Sequence, residues 1–278
     1  MKRYPIGIMI RCDEGVDLRH EIQKAKELEL DSCQLCIWDA ARFRDAAYAA
    51  YVKEVLEETA FPVTGLWAGW SGPCEWNFTA GPATIGLVPP AYRYQRLQEL
   101  MDASDFAEKI GVSRVITHVG FLPENADDPE FNATVAALRH LSKYMKAKGQ
   151  QFLFETGQET PVTMLRTIEA IGTDNLGINF DTANLMLYGK ANSLDALDTF
   201  GKYVVDTHIK DGFYPTNGMK LGRQVPVGEG KAPIPAIIHR LEELGYEGSL
   251  TIEREITGEQ QIKDIRQARD LILSVFAE

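Results

Sequence analysis

Eight short apolar runs alternate with eight amphipathic segments along this chain, and that alternation restricts the fold more than any other feature. The runs read as strands over Pro5–Ile10, Cys33–Trp38, Phe61–Trp67, Arg114–His118, Gln151–Glu155, Leu176–Asp181, Tyr203–His208 and Ser249–Glu253. The segments that follow them carry apolar residues at helical spacing, over Val16–Leu30, Ala41–Glu58, Tyr92–Ile110, Phe131–Lys148, Thr163–Ile171, Leu185 to Phe200, Pro235–Leu244 and Glu259–Phe276. Strand-then-helix repetition forces parallel pairing through right-handed crossovers. Eight such units in 278 residues match a closed α/β barrel, the (β/α)8 TIM barrel. The alternative, an open doubly wound sheet, lacks a glycine fingerprint after the first strand. No linker or low-complexity stretch breaks the pattern, so residues 1–278 are expected to form a single domain.

The second half of the chain places chemistry on this frame. Four successive runs close on residues able to bind a metal: Glu155, Asp181, His208 and Glu253. One acid at a strand end is more often a helix cap or a loop residue; four in successive units resist that explanation. The intervals from 155 to 181 and from 181 to 208 suit one strand–helix unit each, and the last needs a unit plus a long loop. In a parallel barrel these ends share one face, where three carboxylates and an imidazole converge. Carboxylate oxygens suit hard cations and imidazole adds affinity for later metals. One divalent ion is therefore expected, Mn2+ first, with Mg2+, Co2+ or Zn2+ as alternatives. Held this way it would keep positions open for substrate oxygens and polarise a carbonyl.

Composition narrows the partners. A chain this long, 45% hydrophobic and 25% charged, buries a sufficient core without disulfides or a structural metal. The net charge of −11 argues against nucleic acid and against an anionic membrane surface. Cys33 and Cys36 form a lone Cys-x-x-Cys within a strand, where they face opposite sides and are expected in the core. Lys2 and Arg3 precede the apolar run Ile6–Ile10, which is too short for a signal sequence and is followed at once by Arg11, Asp13 and Glu14. No stretch approaches the roughly 20 apolar residues of a membrane helix. A cytoplasmic protein is expected.

Several motifs together carry a family resemblance. Phe-Glu-Thr-Gly-Gln at Glu155, Asn-Phe-Asp-Thr-Ala-Asn at Asp181, Thr-His-Ile-Lys-Asp at His208, Val-Pro-Val-Gly-Glu-Gly before Lys231 and Thr-Ile-Glu-Arg-Glu at Glu253 resemble the xylose isomerase-like TIM barrels. That family includes sugar and sugar-phosphate isomerases, ketose 3-epimerases and apurinic endonucleases. The first half of the chain shares mainly Thr-His-Val-Gly around His118. The resemblance implies that Glu155, Asp181, His208 and Glu253 bind one divalent ion. It further implies that Glu155 and Glu253 act as acid and base on opposite faces of an enediolate.

Two positions depart from the ketose epimerases. Asn184 stands where they usually have a histidine three residues after the metal-binding Asp. Pro161 stands where they have a glutamate, with Gln158 and Glu159 nearby. Compared with the endonucleases, the third strand supplies no histidine after Trp67, and Asn184 replaces another ligand. The expected function is a metal-dependent isomerase or epimerase of a sugar or keto-sugar, phosphorylated or not. A lyase acting on an oxidised 3-keto glycoside is the alternative, and a ligand-binding barrel without turnover the second. The expected partner is a small sugar, with homo-oligomerisation left open.

The expected substrate contacts are His118, Asn184, Lys210, Gln158, Trp38 and Trp67. His118 at a strand end suits substrate, a second metal or a core hydrogen bond. Lys210 suits an enolate or a pair with Asp211, and the two tryptophans suit a sugar face or the core. Gly228 and Gly230 form a lone Gly-x-Gly, weak evidence of phosphate binding and more often a tight turn. The aromatic stretch Ala68–Pro90 reads as a packed loop over the site or at a subunit contact. His20, His140 and His239 are read as surface residues.

Overall fold

The computed structural model describes residues 3–12 and 14–277; Lys2 and Asp13, cited above as flanks of the first apolar run, lie outside the described residues, as do Met1 and Glu278. The strands are β1 (Ile6–Arg11), β2 (Ser32–Ile37), β3 (Val63–Ala68), β4 (Arg114–Thr117), β5 (Gln151–Glu155), β6 (Leu176–Asp181), β7 (Val204–Ile209), β8 (Asp211–Phe213), β9 (Arg223–Val225) and β10 (Leu250–Ile252). The helices are α1 (Leu18–Glu27), α2 (Ala46–Thr59), α3 (Gly81–Thr84), α4 (Pro90–Ile110), α5 (Pro129–Lys146), α6 (Pro161–Ile171), α7 (Asn184–Leu187), α8 (Ser193–Phe200), α9 (Ile234–Glu243) and α10 (Glu259–Phe276). Among the described residues, eight parallel strands close in the order β1-β10-β7-β6-β5-β4-β3-β2, the barrel that the alternation implies. Asp17, Asp45, Asp128, Thr160 and Asn192 cap α1, α2, α5, α6 and α8 through their side-chain oxygens. No helix of the described residues is long and apolar enough to cross a membrane.

The register sets the site. Asp181 pairs with His208 between β6 and β7, and His208 pairs with Thr251 of β10. Glu155 pairs with Asn179, two residues before Asp181. The four expected ligands thus reach the same end of neighbouring strands.

Three expectations about elements are corrected. The helix expected from Leu185 to Phe200 is two: Gly189, at φ +63°, ends the short α7, and Asn192 starts α8 afresh. The long loop before Ala232 contains the antiparallel hairpin β8–β9. His20 and His140 are exposed, but His239 is half-buried.

The aromatic stretch is fastened to α4 by Arg96, which is 1% exposed. Its guanidinium donates to the carbonyls of Ser71, Pro73, Thr84 and Gly86 at 2.7–3.1 Å, and it lies over the rings of Trp70 and Tyr92. A buried cation is tolerated here because its donors are satisfied by carbonyls that the loop would otherwise leave unpaired. The loop brings Trp76 to the mouth of the barrel, so it lies over the site.

Candidate active site

Glu155 ends β5 and is almost wholly buried. Its Oε2 accepts the indole N–H of Trp67, and its Oε1 lies 2.9 Å from His208 Nδ1, 3.5 Å from His118 Nε2 and 3.5 Å from Asn184 Nδ2. Trp67 therefore does more than offer a sugar face: it fixes one oxygen of this carboxylate. Asp181 Oδ1 accepts the backbone N–H groups of Ala183 and Asn184, each at 2.7 Å, which orients the carboxylate as α7 begins. Its other oxygen, Oδ2, is buried without a hydrogen-bond partner. Glu253 Oε2 stands 3.4 Å from His208 Nδ1 and 3.1 Å from Lys210 Nζ.

Lys210 is buried and turns into this cluster: Nζ lies 2.8 Å from Glu255, 3.1 Å from Glu253 and 3.7 Å from Asp181. Of the two roles read for Lys210, the pair with Asp211 is not made. Asp211 instead accepts the backbone N–H groups of Gly212, Gly228, Gly230 and Ala232 at 2.7–3.0 Å. The Gly-x-Gly loop is a cradle for this internal carboxylate rather than for a phosphate. A Cβ at Gly230 would come within 2.1 Å of Asp211 Oδ1, so only glycine fits there.

Burial and charge oppose each other across the site. Burial acts to raise Glu155, but His118 and His208 outweigh it and hold the carboxyl below its usual range. Burial likewise opposes ionisation of Glu253, and Lys210 and His208 win, so Glu253 lies well below. Asp181 goes the other way: burial raises it well above the usual range, Lys210 offsets part, and the charges of Glu253 and Glu155 add to the rise. Burial alone would lower His208, yet Glu155 and Glu253 hold it well above an ordinary histidine.

These features fit a divalent cation. One ligand atom from each of Glu155, Asp181, His208 and Glu253 can be chosen so that all lie within 4.8 Å of one another. Asp181 Oδ2 is a buried acceptor whose charge partner, Lys210 Nζ, stays 3.7 Å away, beyond hydrogen-bond reach, and the three carboxylates crowd each other in the way a shared cation relieves. The His208 nitrogen that faces the carboxylates is the one its outer contact leaves available.

That outer contact was not read from the sequence. His208 Nε2 lies 2.7 Å from Gln34 Oε1, and Gln34 Nε2 donates to Asn179 Oδ1 at 2.9 Å. Gln34 comes from β2, half-way round the ring from β6, and spans the barrel interior. An amide oxygen only accepts, so Nε2 carries the hydrogen and Nδ1 is the metal-facing nitrogen. A glutamine inside the apolar run of β2 was the available signal. Gln34→Met is expected to weaken divalent-metal affinity by about 10–100-fold, the usual effect of losing a partner behind a ligating histidine. Titration calorimetry with Mn2+ checks this, and an unchanged affinity would count against it.

The remaining candidates divide. His118, Asn184, Lys210, Trp38 and Trp67 line a cavity of about 640 Å3 above the carboxylates; Gln158 does not, and is buried with its amide facing the Tyr188 hydroxyl. His118 Nδ1 has no hydrogen-bond partner, and burial lowers its pKa. The chain has four tryptophans, and Trp38 sits among the other three, with ring centroids 4.6, 6.0 and 6.1 Å from Trp67, Trp70 and Trp76. Cys33 and Cys36 pack in separate apolar clusters, as alternation along β2 requires. Trp76, Tyr188 and Glu255 join the lining or the charge network without having been read as candidates.

Glu159, beside Gln158, is buried with Oε1 accepting the Gly157 N–H at 3.1 Å. Burial pushes its carboxyl up to about 7, against the backbone hydrogen bonds and Lys190, which lower it. A folded pKa above the unfolded value means that this contribution to stability is full below about pH 4.5 and lost as pH rises through about 7. The whole shift is worth about 3 kcal/mol. Glu159→Gln is expected to flatten the pH dependence of stability between about pH 4.5 and 7. Urea unfolding at a series of pH values measures it; an unchanged slope would refute the assignment.

A family model described as xylose isomerase-like TIM barrel matches residues 22–274. The crystal structure of a xylose isomerase domain protein from Planctomyces limnophilus is similar at a TM-score of 0.90 and 32% identity, covering 98% of this chain and 97% of that one. A xylose isomerase-like TIM barrel protein from Mycobacterium smegmatis, solved in complex with magnesium, gives 0.71 at 19% identity over 98% and 96%. The 3-keto-D-glucoside 4-epimerase from E. coli gives 0.71 at 16% over 98% and 100%. At the last two identities the likeness is one of fold.

Proposed function

This chain belongs to the xylose isomerase-like TIM-barrel family, and from that premise we propose that it is a divalent-metal-dependent isomerase or epimerase of a sugar or keto-sugar. The observation that carries the reading is the convergence of Glu155, Asp181, His208 and Glu253 within 4.8 Å at the floor of a tryptophan-walled cavity. These four residues would hold one divalent ion, Mn2+ by preference, which when bound supplies a Lewis acid for the substrate carbonyl. Sugar epimerases among the proteins of similar fold support the reaction class.

The chain's own groups then do the proton work. Glu155 is kept ionised by His118 and His208 and is aimed by Trp67, which suits it to take the proton from the carbon next to the carbonyl. The C–H electron pair becomes the double bond of an enediolate, and the carbonyl oxygen takes the negative charge. Glu253 faces the same space and, once it has taken a proton from the Lys210 ammonium 3.1 Å away, returns one to that carbon; return on the opposite face inverts the centre. Lys210 recovers its proton from solvent and Glu155 releases its own there, so both carboxylates are ionised again for the next turnover. The aromatic wall excludes water from one side of the reacting carbon.

Turnover in D2O tests this. Deuterium should enter the substrate at the reacting carbon. Turnover with complete retention of the original hydrogen would point to hydride transfer and leave Glu155 and Glu253 as ligands alone.

A further inference from the structure

β10 ends at Ile252, so Glu253 stands one residue beyond the strand. Its N–H still donates to Ile209 O at 3.1 Å, but residues 253–257 form neither helix nor strand. A chain leaving its sheet frays unless other groups take up its backbone N–H and C=O. Here glutamine side chains take them. Gln224 Nε2 donates to the Glu253 carbonyl at 3.2 Å, and Gln224 Oε1 accepts the Glu255 N–H at 3.2 Å. Gln261 of α10 donates to the Arg254 carbonyl at 2.9 Å. A carbonyl and the N–H two residues on are the pair that one residue of a neighbouring parallel strand would bind. The Gln224 amide thus continues the ladder one step past β10, a side chain standing in for a strand.

Gln224 is itself well anchored. Its backbone pairs with Gly212 in the hairpin β8–β9, and Asp211 ties the start of that hairpin to Gly228, Gly230 and Ala232. Its Oε1 also accepts Arg254 Nη1 at 2.9 Å, while Arg254 Nε donates to the buried Asp264 of α10 at 2.7 Å. Gln224 lines the cavity, yet both ends of its amide are engaged by the chain rather than offered to a ligand.

We infer that Gln224 is a positioning residue for Glu253. By holding the main chain on both sides of Arg254, it sets the reach of two carboxylates: Glu253, 3.1 Å from Lys210 Nζ and 3.4 Å from His208 Nδ1, and Glu255, 2.8 Å from Lys210 Nζ. Without the clamp, a ligand on a loose strand end must be ordered when the metal binds, and affinity falls by that cost. The effect on metal rests on the proposed role of Glu253 as a ligand; the clamp itself rests on the hydrogen bonds alone.

Two measurements test this, neither of which requires turnover. Gln224→Met keeps the side chain's length and removes both hydrogen-bonding ends. Mn2+ affinity by titration calorimetry is expected to fall by about tenfold. Hydrogen exchange of the Glu255 amide, followed by mass spectrometry without added metal, is expected to quicken by about fivefold or more. Gln224→Asn, which keeps the amide but draws it back by one carbon, should shift both readings the same way. Arg223→Ala serves as the control, because Arg223 precedes Gln224 in the same strand and its guanidinium lies over Phe213 instead. It should leave both readings unchanged. Unaltered exchange or unaltered Mn2+ affinity in both Gln224 variants would overturn the inference, as would equal losses in Arg223→Ala, which would trace them to a loosened hairpin. The two readings fail separately: a wild-type protein that takes up no Mn2+ counts against the metal centre, and a Glu255 amide that does not quicken counts against the clamp.

Discussion

Glu155→Gln is expected to lower turnover by about 10^3-fold or more, and Glu253→Gln by a similar factor. A positioned general base contributes about 10^2–10^4-fold on its own, and each glutamate is also a candidate metal ligand. The glutamine keeps the shape and can still accept the Trp67 N–H at position 155, so the fold should survive both changes. Because the two roles overlap, metal content must be measured beside the rate. A variant that keeps its metal yet loses turnover isolates the proton step. Wild-type turnover in a metal-loaded Glu155→Gln protein would remove this residue from the chemistry.

Asp181→Asn and His208→Ala carry the second large effect. Each should weaken divalent-metal binding by more than about 100-fold, beyond the range typical of a partner standing behind a ligand. The wild-type chain should take up about one ion, read by elemental analysis after dialysis against Mn2+ or Co2+. Chelation should abolish activity but leave the circular dichroism spectrum of the barrel in place, because its apolar core is continuous around the strands without the site. Mn2+ at a hundredfold excess over its dissociation constant should add about 2.7 kcal/mol to stability by mass action. A wild-type protein that takes up neither ion would end the assignment of the four residues as a metal centre.

Strand–helix alternation was sufficient for the barrel, since its periodicity is local and parallel strands joined by helices have few ways to close. The same alternation placed Glu155, Asp181, His208 and Glu253 at one end, because a residue's position along its strand fixes its height in the barrel. Local signals were weaker at the α7–α8 break, where Gly189 and Asn192 divide one helical pattern in two. They were weaker again in the loop after β7, whose hairpin is held by Asp211, a residue the sequence invited one to pair with Lys210.

What the sequence determined by itself was thus the fold and the chemical types gathered at the strand ends. Which partners those groups take was left to tertiary structure. Lys210 faces three carboxylates rather than its neighbour in sequence, Trp67 reaches 88 residues ahead to Glu155, and Gln34 spans 174 residues to His208. The physical reason is that side-chain hydrogen bonds and charge pairs act over a few ångströms. Closing the barrel brings residues from distant strands within that range, and no spacing along the chain encodes which will meet.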